Sequence, residues 1–245
     1  MKLDLMTWQE VDAHLASAPA IILPTGSIEQ HGPMGLIGTD AICAEDIALA
    51  AAALTKTIVA PTLCYGPAPF NMGFPGTMSL SSATYQAVIR ELFEGLISQG
   101  FKRIYVLNGH GANLEGLRIE AARLGEEKVR VRSWWDFEPV NNLRREWYGD
   151  WEGMHATPSE ISITQVNHRV IPPGDAQNPP VKLSSEFIQT HAGDKHGPAA
   201  QHRAAFPDGR VGSHSALASR EQGEILLETA AACVAKDFGF FTVGI

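Results

Sequence analysis

The sequence predicts an α/β fold: a single-domain three-layer sandwich with a mostly parallel central sheet and helices on both faces. Short apolar runs bounded by turn residues alternate with longer segments whose apolar positions recur at helical spacing. Strands separated by whole helices need crossover connections, and crossovers lay neighbouring strands parallel. Hydrophobic residues make up 44% of the chain, enough to cover both faces of a sheet. At 245 residues the chain fits one domain, 1–245, without internal repeats or low-complexity tracts.

The elements follow in order. Residues 20–23 form a buried apolar run closed by Pro24-Thr25-Gly26-Ser27, the mark of a strand entering a loop. Residues 40–54 are alanine-rich without proline or glycine, which predicts a helix that Asp40 begins. A second short strand spans 57–60 and ends at Pro61, and the Pro/Gly-rich stretch 66–76 must be loop. Tyr85, Val88, Ile89, Leu92, Phe93 and Leu96 have helical spacing within 81–98, which stops before Gly100. Residues 103–107 form an apolar strand that runs into Asn108-Gly109-His110-Gly111. A helix over 112–124, a strand over 128–133, a helix over 159–166 and a C-terminal helix over 216–238 complete the set. Residues 167–207 are rich in Pro, Gly, Asp and His and read as a long ordered excursion, a lid or a subunit contact.

Composition narrows the function. A formal charge of −8 argues against a nucleic-acid partner, which calls for a basic patch or stripe. The pairs Lys102-Arg103 and Arg144-Arg145 read as solvated faces. Cys43, Cys64 and Cys233 are too few and too scattered for a disulfide framework or a zinc knuckle, and their expected state is reduced and buried. The N-terminus lacks a basic stretch followed by an apolar run, so no signal peptide is expected. No apolar stretch reaches the roughly 20 residues that span a bilayer. The expectation is a cytoplasmic protein with neither a membrane nor a nucleic-acid partner.

One constellation carries chemistry. Glu29 and His31 stand two apart in Gly26-Ser27-Ile28-Glu29-Gln30-His31-Gly32-Pro33, so an extended segment turns both side chains the same way. A carboxylate beside an imidazole is a natural pair of first-row metal ligands. Asp40 offers another carboxylate, and His110 a second imidazole at the end of another strand. The glycines flanking His110, Gly111 among them, let the backbone turn sharply and leave room for a ligand. An isolated Glu-x-His is usually a surface accident, and a histidine at a strand end is more often hydrogen-bonded structure. Convergence of two acids and two histidines near strand ends leaves the metal and the structural readings level.

A resemblance goes further. The segment 26–33 with Gly38-Thr39-Asp40, then Phe74-Pro75-Gly76-Thr77-Met78-Ser79-Leu80, then Asn108-Gly109-His110-Gly111-Ala112-Asn113, then His155 with Glu160-Ile161-Ser162 resemble, in order, the signature blocks of the creatininase (creatinine amidohydrolase) family. The resemblance implies a creatininase-like fold and two divalent ions per subunit. Glu29 and His110 would hold one, His31 and Glu160 the other, and Asp40 would bridge them. Such a pair, about 3.5–4 Å apart, polarises a carbonyl and turns a bridging water into hydroxide. Zinc or manganese is expected, with iron admissible on the same ligands. His155 matches the histidine that exchanges protons with substrate, and Trp135 and Trp151 match substrate-lining tryptophans. Relatives form homo-hexamers, to which the excursion would contribute contacts.

The departures bear on substrate. Creatininases proper carry glutamate at the position of Ala112, and Glu115, a helical turn on, is expected to face solvent. Asn71 and Met34 stand where many relatives have histidine, and Ala156-Thr157-Pro158-Ser159 replaces a glycine-rich lead into Glu160. Creatinine itself is therefore left open. The leading expectation is hydrolysis of a C–N bond in a small cyclic or linear amide. The alternatives are the same centre acting on a formamide or a small peptide, and a non-catalytic metal-binding scaffold. His191-Ala192-Gly193-Asp194-Lys195-His196, with His202, has the spacing of a second metal site but reads as a solvated or interface loop.

Overall fold

Alternation along the central strands decides the architecture. In the computed structural model, which describes residues 1–244, four strands are paired: β1 (Ala20–Thr25), β2 (Ile58–Val59), β3 (Arg103–Asn108) and β4 (Val129–Ser133). Their order is β2-β1-β3-β4 and every pairing is parallel. Ala20, Ile22, Tyr105 and Leu107 enter one core, whereas Ile21, Leu23, Ile104 and Val106 enter another on the opposite face. Both faces are thus apolar, as a parallel sheet between helices requires.

The helices are α1 (Trp8–Leu15), α2 (Thr39–Thr55), α3 (Ser82–Ser98), α4 (Leu114–Leu124), α5 (Glu138–Trp147), α6 (Pro158–Asn167), α7 (Ser185–Thr190), α8 (Ala199–Ala205) and α9 (Arg220–Phe241). Ile47, Ala48 and Ala51 of α2 and Leu226, Val234 and Phe238 of α9 share the first core. Tyr85, Ile89 and Phe93 of α3 and Leu117 of α4 share the second. Burying each large apolar side chain contributes about 1.5–3 kcal/mol. The result is one α/β domain of three layers.

Boundaries differ from the sequence reading for local reasons. A 3-10 turn, Gly111–Asn113, precedes α4, so residue 112 is not helical in the α sense. The last helix starts at Arg220 because Ser219 caps it, its side chain accepting from the Gln222 N–H. Two helices lie outside those expected: α1, held by the capping box of Thr7 and Glu10, and α5, whose narrow apolar stripe lies in a strongly polar segment. The excursion holds α7, α8 and the 3-10 turn Gly174–Gln177. Buried Arg210 fixes it by donating to the Ala176 and Asn178 carbonyls, each at 3.0 Å. The cysteines are free, but only Cys43 is buried; Cys64 and Cys233 are partly exposed. No described helix is long and apolar enough to cross a membrane.

Candidate metal centre

Parallel pairing sets Thr25 beside Asn108 and Asn108 beside Ser133, so the loops leaving β1 and β3 start side by side. The Asn108 side chain locks the second loop. Its Nδ2 donates to the His110 carbonyl at 2.7 Å, and its Oδ1 accepts from the His110 N–H at 3.2 Å and the Thr25 hydroxyl at 3.1 Å. Gly109 faces the first turn of α2 so closely that a Cβ would fall 2.2 Å from the Asp40 carbonyl oxygen. Only glycine permits that approach. Asp40 lies in the first turn of α2 and Glu160 in the first turn of α6, where the helix dipole favours a carboxylate.

The five expected ligands come together, all buried. His31 donates through Nδ1 to the Glu29 carbonyl at 3.1 Å, which turns Nε2 toward Asp40 Oδ1 at 2.9 Å and Glu160 Oε1 at 3.9 Å. His110 donates through Nε2 to the Pro67 carbonyl at 2.8 Å, and its Nδ1 faces Asp40 Oδ2 at 3.1 Å and Glu29 Oε1 at 3.6 Å. A backbone carbonyl thus occupies one nitrogen of each ring and aims the other at carboxylates, an arrangement typical of metal-ligating histidine. Glu29, Asp40 and His110 form one ligand triad, and His31, Asp40 and Glu160 a second, each with its donor atoms within 4.8 Å of one another. Asp40 is common to both.

The donor set fits divalent cations. Glu29 Oε1 and Asp40 Oδ2 are buried and have no hydrogen-bond partner. A divalent ion held by these residues would satisfy such oxygens. Without ions the cluster retains protons. Burial pushes Glu29 up to about 8 and Glu160 up to about 7. Burial alone lowers His31, but the charges of Asp40, Glu160 and Glu29 outweigh it and push the ring up to about 10. Burial would raise Asp40, yet His31 and His110 hold it below the usual carboxylate range.

His155 stands among these groups. Its Nε2 donates to the Gln30 carbonyl at 2.6 Å, its Nδ1 lies 3.4 Å from Glu29 Oε1, and its ring centroid is 4.4 Å from that of His31. Burial and the neighbouring His31 hold the ring well below its ordinary pKa. Asn71, buried behind it, accepts from the Gln30 side chain at 2.8 Å.

A cavity of about 180 Å³ opens on the centre, and His110, Gly111, Trp135, His155 and Glu160 all line it. Trp151 does not line this cavity. It packs instead against His214, at 5.6 Å between centroids, with the Lys182 ammonium 4.6 Å from its ring. The wall is formed by Trp134 as well as Trp135, because the 3-10 turn Trp134–Asp136 sets the two rings edge to face. Two charged residues escaped the sequence reading. Arg144 is not on a solvated face: it lines the cavity, stacks over Trp134 at 5.4 Å and donates to Glu152 at 2.9 Å. Asp194, in a stretch expected to be solvated, is half-buried against His110.

Comparison with known proteins completes the assignment. The model of the creatinine amidohydrolase family matches residues 4–238. The chain belongs to the creatininase family. Creatinine amidohydrolase of Pseudomonas putida is 28% identical over 249 residues, covering 91% of this chain and 90% of that protein. The mycofactocin precursor peptide peptidase of Mycolicibacterium smegmatis is 36% identical over 115 residues, which cover 44% of this chain and 46% of the peptidase. A creatininase crystal structure superposes with a TM-score of 0.82 at 24% identity, covering 100% of this chain and 98% of its own, and shares the fold. Other creatininase structures of this fold include a Zn–Zn form at a TM-score of 0.80 and a manganese form at 0.76, at 24% and 25% identity. Each covers 99% of this chain and 98% of its own.

Proposed function

We propose that this creatininase-family hydrolase holds two divalent ions and cleaves a C–N bond of a small cyclic or linear amide. The observation that carries the reading is the pair of ligand triads sharing Asp40, of which Asp40, His110 and Glu160 line a small cavity. Glu29 and His110 would hold one ion, His31 and Glu160 the other, with Asp40 common to both. Bound there, the ions would polarise a carbonyl and lower the pKa of water. Zinc and manganese suit the mixed donors, as does iron.

The protein's own groups supply the remainder. His155, with Nε2 committed to the Gln30 carbonyl, presents Nδ1, which would take a proton from the attacking water and return it to the departing nitrogen. The Trp134 and Trp135 rings wall the cavity and exclude water from its apolar side. Gly111 lines the cavity beside His110, and a volume of about 180 Å³ suits a ring or a short amide. Trp151, matched to a substrate-lining tryptophan by sequence, would need to act from a second copy of the chain or after a rearrangement. We place the enzyme in the cytoplasm as a homo-hexamer, with small amides as partners and neither nucleic acid nor membrane.

A second reading keeps the centre and changes the substrate to a formamide or a short peptide; Ala112 and the peptidase relative favour it. A non-catalytic scaffold is disfavoured by the complete set of five ligands. The test is a panel: protein loaded with zinc, manganese or iron, assayed on creatinine, hydantoins, formamides and short peptides. Turnover that needs metal and disappears in Glu29→Ala or Asp40→Ala supports an amidohydrolase, and the substrate class chooses between the first two readings. Tight metal binding without turnover of any amide would favour the scaffold. Elution as a 26.5 kDa monomer in gel filtration would reject the hexamer.

A further inference from the structure

Asp194 is a half-buried carboxylate outside the five ligands. It sits between α7 and α8, yet its side chain is only 12% exposed. Its Oδ2 lies 3.7 Å from His110 Nδ1, the same nitrogen that Asp40 and Glu29 approach. Gly111 makes room for it: a Cβ at that position would fall 2.3 Å from Asp194 Oδ2. The backbone at Asp194 is left-handed, with φ of 57°, and Gly193 beside it has φ of 75°. A non-glycine residue in that region costs on the order of 1 kcal/mol and persists where its surroundings hold it.

The surroundings do hold it. The His196 ring packs 4.7 Å from Phe70 and 4.8 Å from His202, and both Phe70 and His202 are buried. Arg203 of α8 donates to the Gly73 carbonyl, tying the far side of the loop to the turn Pro69–Gly73. On the near side, His191 stacks on Phe187 at 3.8 Å. The histidines of this stretch, spaced like metal ligands, pack against aromatic rings and one another, and the packing holds the loop that carries the aspartate between them. Gly193 and Asp194 line the same cavity as His110 and Glu160.

We propose that Asp194 is a further carboxylate of the metal centre, acting on the ion held by Glu29, Asp40 and His110. The inference rests on the two-ion reading. It gives that ion's surroundings three carboxylates and one imidazole, against two carboxylates and one imidazole at the other ion. The excursion becomes part of the site, so the local order of 191–196 and ion affinity are coupled.

The test is Mn²⁺ titration of the metal-free full-length protein by calorimetry, in a Glu160→Gln background that leaves one complete ligand set. Asp194→Asn should weaken that ion about 10- to 100-fold, the range for groups that support a metal's ligands. Asp194→Glu should recover part of the loss. If Asp194→Asn fails to fold, Gly111→Ala displaces the carboxylate without removing it and should weaken the ion in the same direction. Unchanged Mn²⁺ affinity in a folded Asp194→Asn overturns the assignment and leaves the two-ion reading intact. A wild-type protein that binds no Mn²⁺ rejects both.

Discussion

His110 donates its Nε2–H to the Pro67 carbonyl in a hydrogen bond of 2.8 Å, and that single bond decides what its other nitrogen faces. Nδ1 is left toward Asp40 and Glu29. His31 repeats the device with the opposite nitrogen, donating from Nδ1 to the Glu29 carbonyl. The backbone thus fixes the orientation of both rings, and Asp40 stands between the two nitrogens that the carbonyls leave unoccupied.

Asp40 is therefore the residue whose loss should cost most. Asp40→Asn removes the shared charge and leaves both histidines without it. Bound metal should fall from about two ions to fewer than one per chain, read by elemental mass spectrometry after dialysis. Glu29→Gln and Glu160→Gln should each keep about one. Two ions retained in Asp40→Asn would mean that the triads do not share a ligand. Turnover should drop at least 100-fold in all three, because positioning and charge stabilisation are lost together.

Ion affinity should rise with pH. The metal-free centre carries protons on Glu160 up to about 7, on Glu29 up to about 8 and on His31 up to about 10. Ions bind the deprotonated groups, so binding expels protons, and the work of expelling them shrinks as pH climbs. Between pH 6 and 9 the affinity for Zn²⁺ or Mn²⁺ should increase. Calorimetry in buffers of different ionisation enthalpy should count more protons released at pH 6 than at pH 9. Affinity independent of pH would show that the ligands are already deprotonated in the metal-free protein.

His155→Ala should keep its ions and lose most activity, about 10²- to 10⁴-fold, the range for a lost general acid–base group. Imidazole in the medium should restore part of it, since the deletion leaves a space of that shape. Because His155 Nδ1 is 3.4 Å from Glu29 Oε1, the metal content is the deciding number. A fall by one ion per chain would make His155 a ligand.

What the sequence reveals here depends on whether a signal is local. The strands were legible because Ile21, Leu23, Ile104 and Val106 must be apolar on one face and Ile22 and Tyr105 on the other. Glu29, His31 and His110 were legible because strand ends concentrate polar loops, and four ordered motifs fixed Glu160 and His155. α5 was hidden because Glu138, Asn141, Arg144 and Arg145 outweigh its narrow stripe of Val140, Leu143 and Trp147. Asp194 was hidden because its partial burial depends on contacts with Gly111 and His110, far away along the chain. A Gly-Asp pair in a polar loop looks the same whether it faces water or a cavity. Arg144 was misread for a related reason: a basic pair at a helix end shows nothing of the tryptophan beneath it.

Thr157 separates the stability of this site from its chemistry. It caps α6 with a reciprocal pair of bonds: its Oγ1 accepts from the Glu160 N–H at 3.2 Å, and its own N–H donates to Glu160 Oε1 at 2.5 Å. Thr157→Ala removes only the first. Loss of such a cap costs about 1 kcal/mol, which in a chain of this size lowers Tm by roughly 2–4 °C. The second bond comes from the backbone and survives, so Glu160 stays aimed at His31. Thr157→Ala should therefore melt earlier while keeping the same number of ions, and Thr157→Ser should match the wild type on both counts. Loss of an ion in Thr157→Ala would mean that the hydroxyl, rather than the backbone N–H, holds Glu160 in place.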